Sequence, residues 1–160
     1  MTYQRLSSLH DGVFALVDGD ASGDEYVQDL ATLDPPPHAI VQWPVGWGIE
    51  NVVGWAIEAD SGVALPGISD RLGRVYGAVA DLLTDLKNDN GREGGLKAHY
   101  IAHEEIAGEM KRSRNIVQRA ELVLEALTRA SLDLVEADYR NLVLDQARSR
   151  DNCKVYRFQP

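Results

Sequence analysis

Two short apolar runs separated by one helix-length segment constrain this chain more than any other feature. Val13-Phe-Ala-Leu-Val17 is β-branched at both ends and drives into Asp18-Gly19-Asp20. Such a run, bounded by turn formers, reads as a buried strand of a parallel sheet rather than as a helix. Gly23-Asp24-Glu25 then opens a helix through Tyr26, Val27, Leu30 and Ala31, with acids in the first turn where the macrodipole favours them. Pro35-Pro36-Pro37 stops it, and His38 to Trp43 reads as a second strand ended by Pro44 and the Gly46-Trp47-Gly48 turn. Strand, helix and strand at this spacing make a βαβ unit and an α/β fold.

Beyond Glu50 the pattern becomes helical. Ile49, Val52, Val53 and Ile57 suit one helix face, and a break is expected at Asp60-Ser61-Gly62. Ser69 reads as the N-cap of one long helix carrying Leu72, Val75, Tyr76, Val79, Leu82, Leu83 and Leu86. Asn88 to Gly95 is a polar, glycine-rich loop. Further helices are expected over Ala98 to Met110, after a Ser113 cap, and from about Leu134 to Ala147. The tail from Lys154 to Phe158 reads as a final strand or as disorder. The expected division is an α/β core over residues 1–66, a helical region over 67–150, and a tail over 151–160.

Composition narrows the function. No apolar run approaches the roughly 20 residues that span a bilayer. Met1 to His10 carries no signal-peptide pattern. A single cysteine, Cys153, excludes an internal disulfide and a thiolate metal site, so a cytoplasmic setting is expected. The net charge is −9, and all of the excess lies before residue 61, where ten acids face Arg5 alone. That segment is a poor non-specific nucleic-acid binder, since a basic face is the usual footprint. It suits an acidic surface or a cluster of metal-binding carboxylates.

The chemistry-bearing residues follow from placement. In open parallel sheets, ligands gather beyond the carboxyl ends of the strands. Asp18 and Asp20 fall there, on one side of the chain because they are two residues apart. Paired carboxylates repel unless a cation neutralises them, and all-oxygen ligands suit Mg²⁺ or Mn²⁺. The same Asp-Gly-Asp is also an ordinary solvated turn. Glu50 follows the second strand and is either a third metal ligand or a first-turn helix acid. Lys97, after the glycine-rich loop, is either a phosphate-stabilising cation or a surface charge. His99 and His103 stand at i, i+4 but do not form the H-E-x-x-H zinc motif. Trp43, Trp47 and Trp55 read as packing residues, and Arg112, Arg114 and Arg119 as a solvated helix face. The chain holds no P-loop and no G-x-S-x-G.

Together, VFALVDGDASG, Ile49-Glu50-Asn51 and the later Lys97 resemble the Toprim domain of the OLD (overcoming lysogenization defect) family of nucleases. The resemblance covers Val13 to Glu50 and, more loosely, Lys97 to Arg129. It implies a Toprim-like, Rossmann-like small parallel sheet followed by a mainly helical region. It also implies that Asp18, Asp20 and Glu50 ligate one or two Mg²⁺ or Mn²⁺ ions while Lys97 assists cleavage of DNA. Toprim domains start with a glutamate-bearing strand, whereas the seventeen residues before Asp18 hold no glutamate. The expectation is therefore an N-terminally truncated Toprim core, weak or inactive alone, with an ATPase domain or subunit supplying the missing elements; a homo-oligomer is also compatible. Two other readings stay open: a phosphohydrolase of the haloacid-dehalogenase type, and a non-catalytic interaction module. Ala21-Ser22 after the second aspartate counts against the phosphohydrolase, whose motif has Gly then Thr or Val there.

Overall fold

The computed structural model describes residues 13–89, 95–131 and 153–157. Their order is β1 (Phe14–Val17), α1 (Ala21–Ala31), β2 (Ala39–Gln42), α2 (Ile49–Ile57), a 3₁₀ turn (Glu58–Asp60), α3 (Ser61–Leu72), α4 (Val79–Lys87), α5 (Tyr100–Met110), α6 (Arg114–Ser131) and β3 (Lys154–Arg157). The chain divides into two compact units, residues 1–48 with 123–160 and residues 49–122. The class is α/β with a small sheet and mostly helical content. Among the described residues, no helix is long and apolar enough to cross a membrane.

In the first unit, β1 and β2 pair in parallel with Phe14 opposite Ala39 and Val17 opposite Gln42. The intervening α1 makes this the expected βαβ unit. β3 pairs with the other edge of β2, antiparallel, with Val41 opposite Val155. The expected parallel sheet is thus mixed, and the tail supplies its third strand. Pairing on both edges leaves all four residues of β2 buried. β1 departs from expectation: Phe14 and Leu16 are 40% and 46% exposed, because only alternate residues face α1 and the core. That core is Val17, Val27 and Ile40, with Ala15, Leu30 and Tyr156 packed against it.

The second unit is helical and is built on Ile57, Leu65, Ile68, Leu82, Ile106 and Ile116, all at most 6% exposed. The long helix expected from Ser69 is two helices, and the break expected at Asp60 to Gly62 is the start of α3. Ser69 lies within α3. Gly73 ends that helix at φ +64°, with its N–H on the Asp70 carbonyl and the Arg74 N–H on that of Ser69. This is a Schellman closure, which glycine adopts without the Cβ penalty of other residues. Ser69 acts across the turn instead, its hydroxyl accepting from the Tyr76 N–H at 3.0 Å. Asp81 then anchors α4 by accepting from the N–H groups of Gly77 and Ala78. Ser113 behaves as expected of a cap: its Oγ accepts from the Ile116 N–H and donates to Asp60 at 2.5 Å. The helix expected over Leu134 to Ala147 lies outside the described residues, as do residues 90–94 of the glycine-rich loop.

Candidate functional site

The aspartate pair sits where β1 ends and α1 begins, and backbone contacts fix the turn between them. The Gly19 N–H donates to the Trp47 carbonyl at 2.7 Å, and the Gly46 N–H donates to the Gly19 carbonyl at 2.7 Å. The clamp on the other side is a tight turn, with Trp47 N–H bonded to the Pro44 carbonyl and Gly46 at φ +77°. A Cβ on Gly19 would lie 1.8 Å from the Pro44 carbonyl oxygen. A Cβ on Gly23 would lie 1.7 Å from the Asp18 carbonyl oxygen, so α1 can begin against the strand end only because residue 23 has no side chain. Both glycines of the D-G-D-x-x-G pattern are therefore required by close backbone approach. The proline-glycine turn after β2 proves to be the part that grips it.

Asp18 and Asp20 are both exposed. Asp20 is the N-cap of α1, its Oδ1 accepting the Gly23 N–H at 2.9 Å. Asp24, one turn on, accepts from the Gln42 side-chain amide at 2.7 Å. Gln42 is only 2% exposed and also donates to the Asp18 carbonyl at 3.3 Å, while its Oε1 accepts from the Tyr156 hydroxyl at 3.0 Å. One buried amide thus ties β1, α1, β2 and β3 together beneath the turn. No sequence motif announces Gln42; its only signal is a polar residue inside an otherwise apolar strand.

Glu50 and Lys97 belong to the second unit. Glu50 is a half-buried acid in the first turn of α2 and lines a cavity of about 230 Å³ with Ile49, Val53, Leu86, His103, Ile106, Ala107 and Met110. Lys97 is exposed in the turn before α5, its ammonium 3.9 Å from the Asp89 carboxylate and its backbone N–H on the Asn88 carbonyl. His99 serves as the N-cap of α5, its Nδ1 accepting the Ala102 N–H at 3.2 Å. Trp43 and Trp55 are buried. Arg119 lies 5.0 Å over the Trp55 ring and donates to the Trp55 carbonyl, so it is not simply solvated. Arg112 pairs with the buried Glu109.

Hard oxygen donors at Asp18 and Asp20 have the chemistry of a Mg²⁺ or Mn²⁺ site, and Mg²⁺ commonly uses one or two carboxylates beside its waters. Among the described residues, no group of three or more His, Cys, Asp and Glu side chains gathers to hold a metal ion. Two carboxylates could supply at most part of the oxygen shell of a hydrated cation. Comparison with protein-family models, curated proteins and solved structures gives no match to this chain.

Proposed function

We propose that the chain carries the paired-aspartate element of a Toprim-type, divalent-metal-dependent DNA endonuclease like those of the OLD family, weak or inactive by itself. The observation that supports this reading is the Asp18-Gly19-Asp20 turn at the carboxyl end of a parallel strand, locked by Gly19 and opening directly into α1. Asp18 and Asp20 would hold Mg²⁺ or Mn²⁺. Glu50 and Lys97, which the resemblance would make a further ligand and a phosphate-stabilising cation, belong to the helical unit. A bound ion would polarise the phosphorus centre as a Lewis acid. The residues' own part is to present two anionic oxygens from a rigid turn, since reorganising them during reaction would cost rate. An ATPase domain or subunit would bring the remaining groups.

The test is calorimetric titration with Mn²⁺, paired with plasmid nicking by the purified chain. The expected result is weak Mn²⁺ binding that Asp18→Asn abolishes, with nicking slight or absent. Strong nicking by the isolated chain would overturn the expected weakness of its activity. Undetectable Mn²⁺ binding would overturn the metal site.

A second reading, an interaction module, is favoured by one observation: Asp20 already has a structural task as the α1 cap. Under that reading Asp18→Asn leaves the Mn²⁺ titration and the plasmid assay as they are for the parent.

A further inference from the structure

β3 enters the sheet antiparallel to β2, with Tyr156 opposite Ile40 and Lys154 opposite Gln42. Residues two apart on a strand share a face, so Tyr156, Ile40 and Gln42 lie on one side of the sheet. Tyr156 packs against the Val17, Val27 and Ile40 core, and its hydroxyl reaches diagonally along β2 to donate to Gln42 Oε1 at 3.0 Å. That bond fixes which end of the amide faces the other way. Gln42 Nε2 points at the Asp18 carbonyl, 3.3 Å away, and at Asp24 Oδ1, 2.7 Å away. Turning the amide over would aim its oxygen at a carbonyl and a carboxylate, acceptors facing acceptors with no proton between them. The two groups that Nε2 holds stand on different elements. Asp18 directly follows β1, whereas Asp24 lies in the first turn of α1, its N–H on the Asp20 carbonyl at 3.0 Å. One side chain thus sets the end of β1 against the start of α1, and with them the spacing of Asp18 and Asp20.

We propose that Tyr156 is a positioning residue for the Asp18-Gly19-Asp20 turn, acting through the Gln42 amide, so that β3 sets how the two carboxylates are presented. Without the hydroxyl, Oε1 is an unpaired acceptor on a residue only 2% exposed, a state that costs more than the bond contributes when made. The amide regains a partner by swinging towards water, and in doing so it releases Asp18 and Asp24 together. Asp20 follows, because its carbonyl holds Asp24 and its carboxylate caps Gly23 in the same first turn. The consequence for cation affinity rests on the metal-site reading above, whereas the consequence for the turn does not.

The variant is Tyr156→Phe in the full chain, which keeps the ring against Val17, Val27 and Ile40 and deletes only the donor. Proton–nitrogen NMR with EDTA present reads the Gln42 side-chain NH₂ pair and amide hydrogen exchange, so metal plays no part in this arm. The Gln42 NH₂ signals are expected to move towards the position of a free glutamine. Exchange of the Gly23 N–H is expected to quicken by about three- to tenfold relative to that of Ile40 in the central strand. Equal quickening of both amides marks a loss of stability alone and would overturn the proposal, as would unmoved Gln42 signals. In a Gln42→Leu background Tyr156→Phe should add nothing at Gly23, because the two residues act as one unit. A full second increment there would also sink it. The other arm titrates parent and Tyr156→Phe chains with Mn²⁺, where the variant is expected to bind about three- to tenfold more weakly. Equal affinities would overturn the proposal. A parent that binds no Mn²⁺ removes the metal site alone, and the exchange arm still decides the role of Tyr156.

Discussion

The buried side-chain amide of Gln42, at the end of β2, donates a 2.7 Å hydrogen bond to the carboxylate of Asp24 in the first turn of α1. The same amide holds the Asp18 carbonyl and the Tyr156 hydroxyl. Gln42→Leu keeps approximate volume but strands these partners around an apolar group. A loss of about 1–3 kcal/mol is expected in urea unfolding, because buried polar groups left unpaired cost more than the bonds contribute when made.

Glycines in this chain divide sharply by what surrounds them. Gly19→Ala would place a Cβ 1.8 Å from backbone, which cannot shift as a flexible side chain can, so a loss of about 3 kcal/mol or more is expected. Gly108 lies inside α5 with nothing within 4 Å of an added Cβ. Gly108→Ala should therefore stabilise by about 0.5–1 kcal/mol through helix propensity. Denaturant midpoints of the two variants, measured side by side, check both signs.

Asp20 permits its two candidate tasks to be separated. Asp20→Ala removes the cap of α1 and should cost about 1 kcal/mol. Asp20→Asn keeps an oxygen for the Gly23 N–H and should stay within a few tenths of a kcal/mol of the parent. If the pair holds a divalent cation, both substitutions weaken Mn²⁺ binding in calorimetry. An Asp20→Asn chain that binds Mn²⁺ like the parent would leave Asp20 a cap alone.

Tyr76 provides an alkaline signature. Burial, then its hydrogen bond to Asp85, push the phenol up to about 12. Arg74 donates to the same carboxylate at 2.8 Å, and that bond raises its own pKa further. The folded phenol keeps its proton more tightly than the unfolded one. Its contribution is therefore complete below pH 10 and is lost as pH rises from about 10 to 12. The expected loss is up to roughly 2–3 kcal/mol across that window. Tyr76→Phe should be less stable at neutral pH by about 1–2 kcal/mol and show a flatter profile from pH 10 to 12. Denaturant unfolding at stepped pH reads both.

The elements legible in the sequence were those whose signal is local. The Val13 to Val17 run, the Pro35 to Pro37 stop and the Ser113 cap each act within a few residues, and the βαβ unit followed from them. The α3–α4 boundary is masked in the sequence because Leu72, Val75, Tyr76 and Val79 continue a helical period through Gly73, whose positive φ is visible only in the fold. The exposure of Phe14 and Leu16 in β1 is hidden in the sequence, because an apolar run does not reveal which strand will gain neighbours on both edges. At the turn, Asp18 and Asp20 were conspicuous while their supports were not. Gln42 and the Pro44 to Trp47 grip act through space, across separations that no local pattern encodes. For the same reason, no local pattern announces that Glu50, in the first turn of α2, lines an apolar hollow with Leu86 and Met110.

The pairing of β3 with β2 joins residues 154–157 to residues 39–42, with the whole helical unit lying between them in the chain. On a ribosome, that helical unit can therefore reach its native contacts while β2 still has one edge open. The exposed edge persists for the time needed to make more than a hundred residues, on the order of 5–20 s at ordinary elongation rates. During that interval Ala39 to Gln42 present unpaired backbone beside apolar side chains, the arrangement most prone to wrong pairing. Release of the nascent chain before Arg157 would make that delay permanent. Correct maturation of the aspartate-bearing unit thus depends on a late event in synthesis, far from the aspartates themselves.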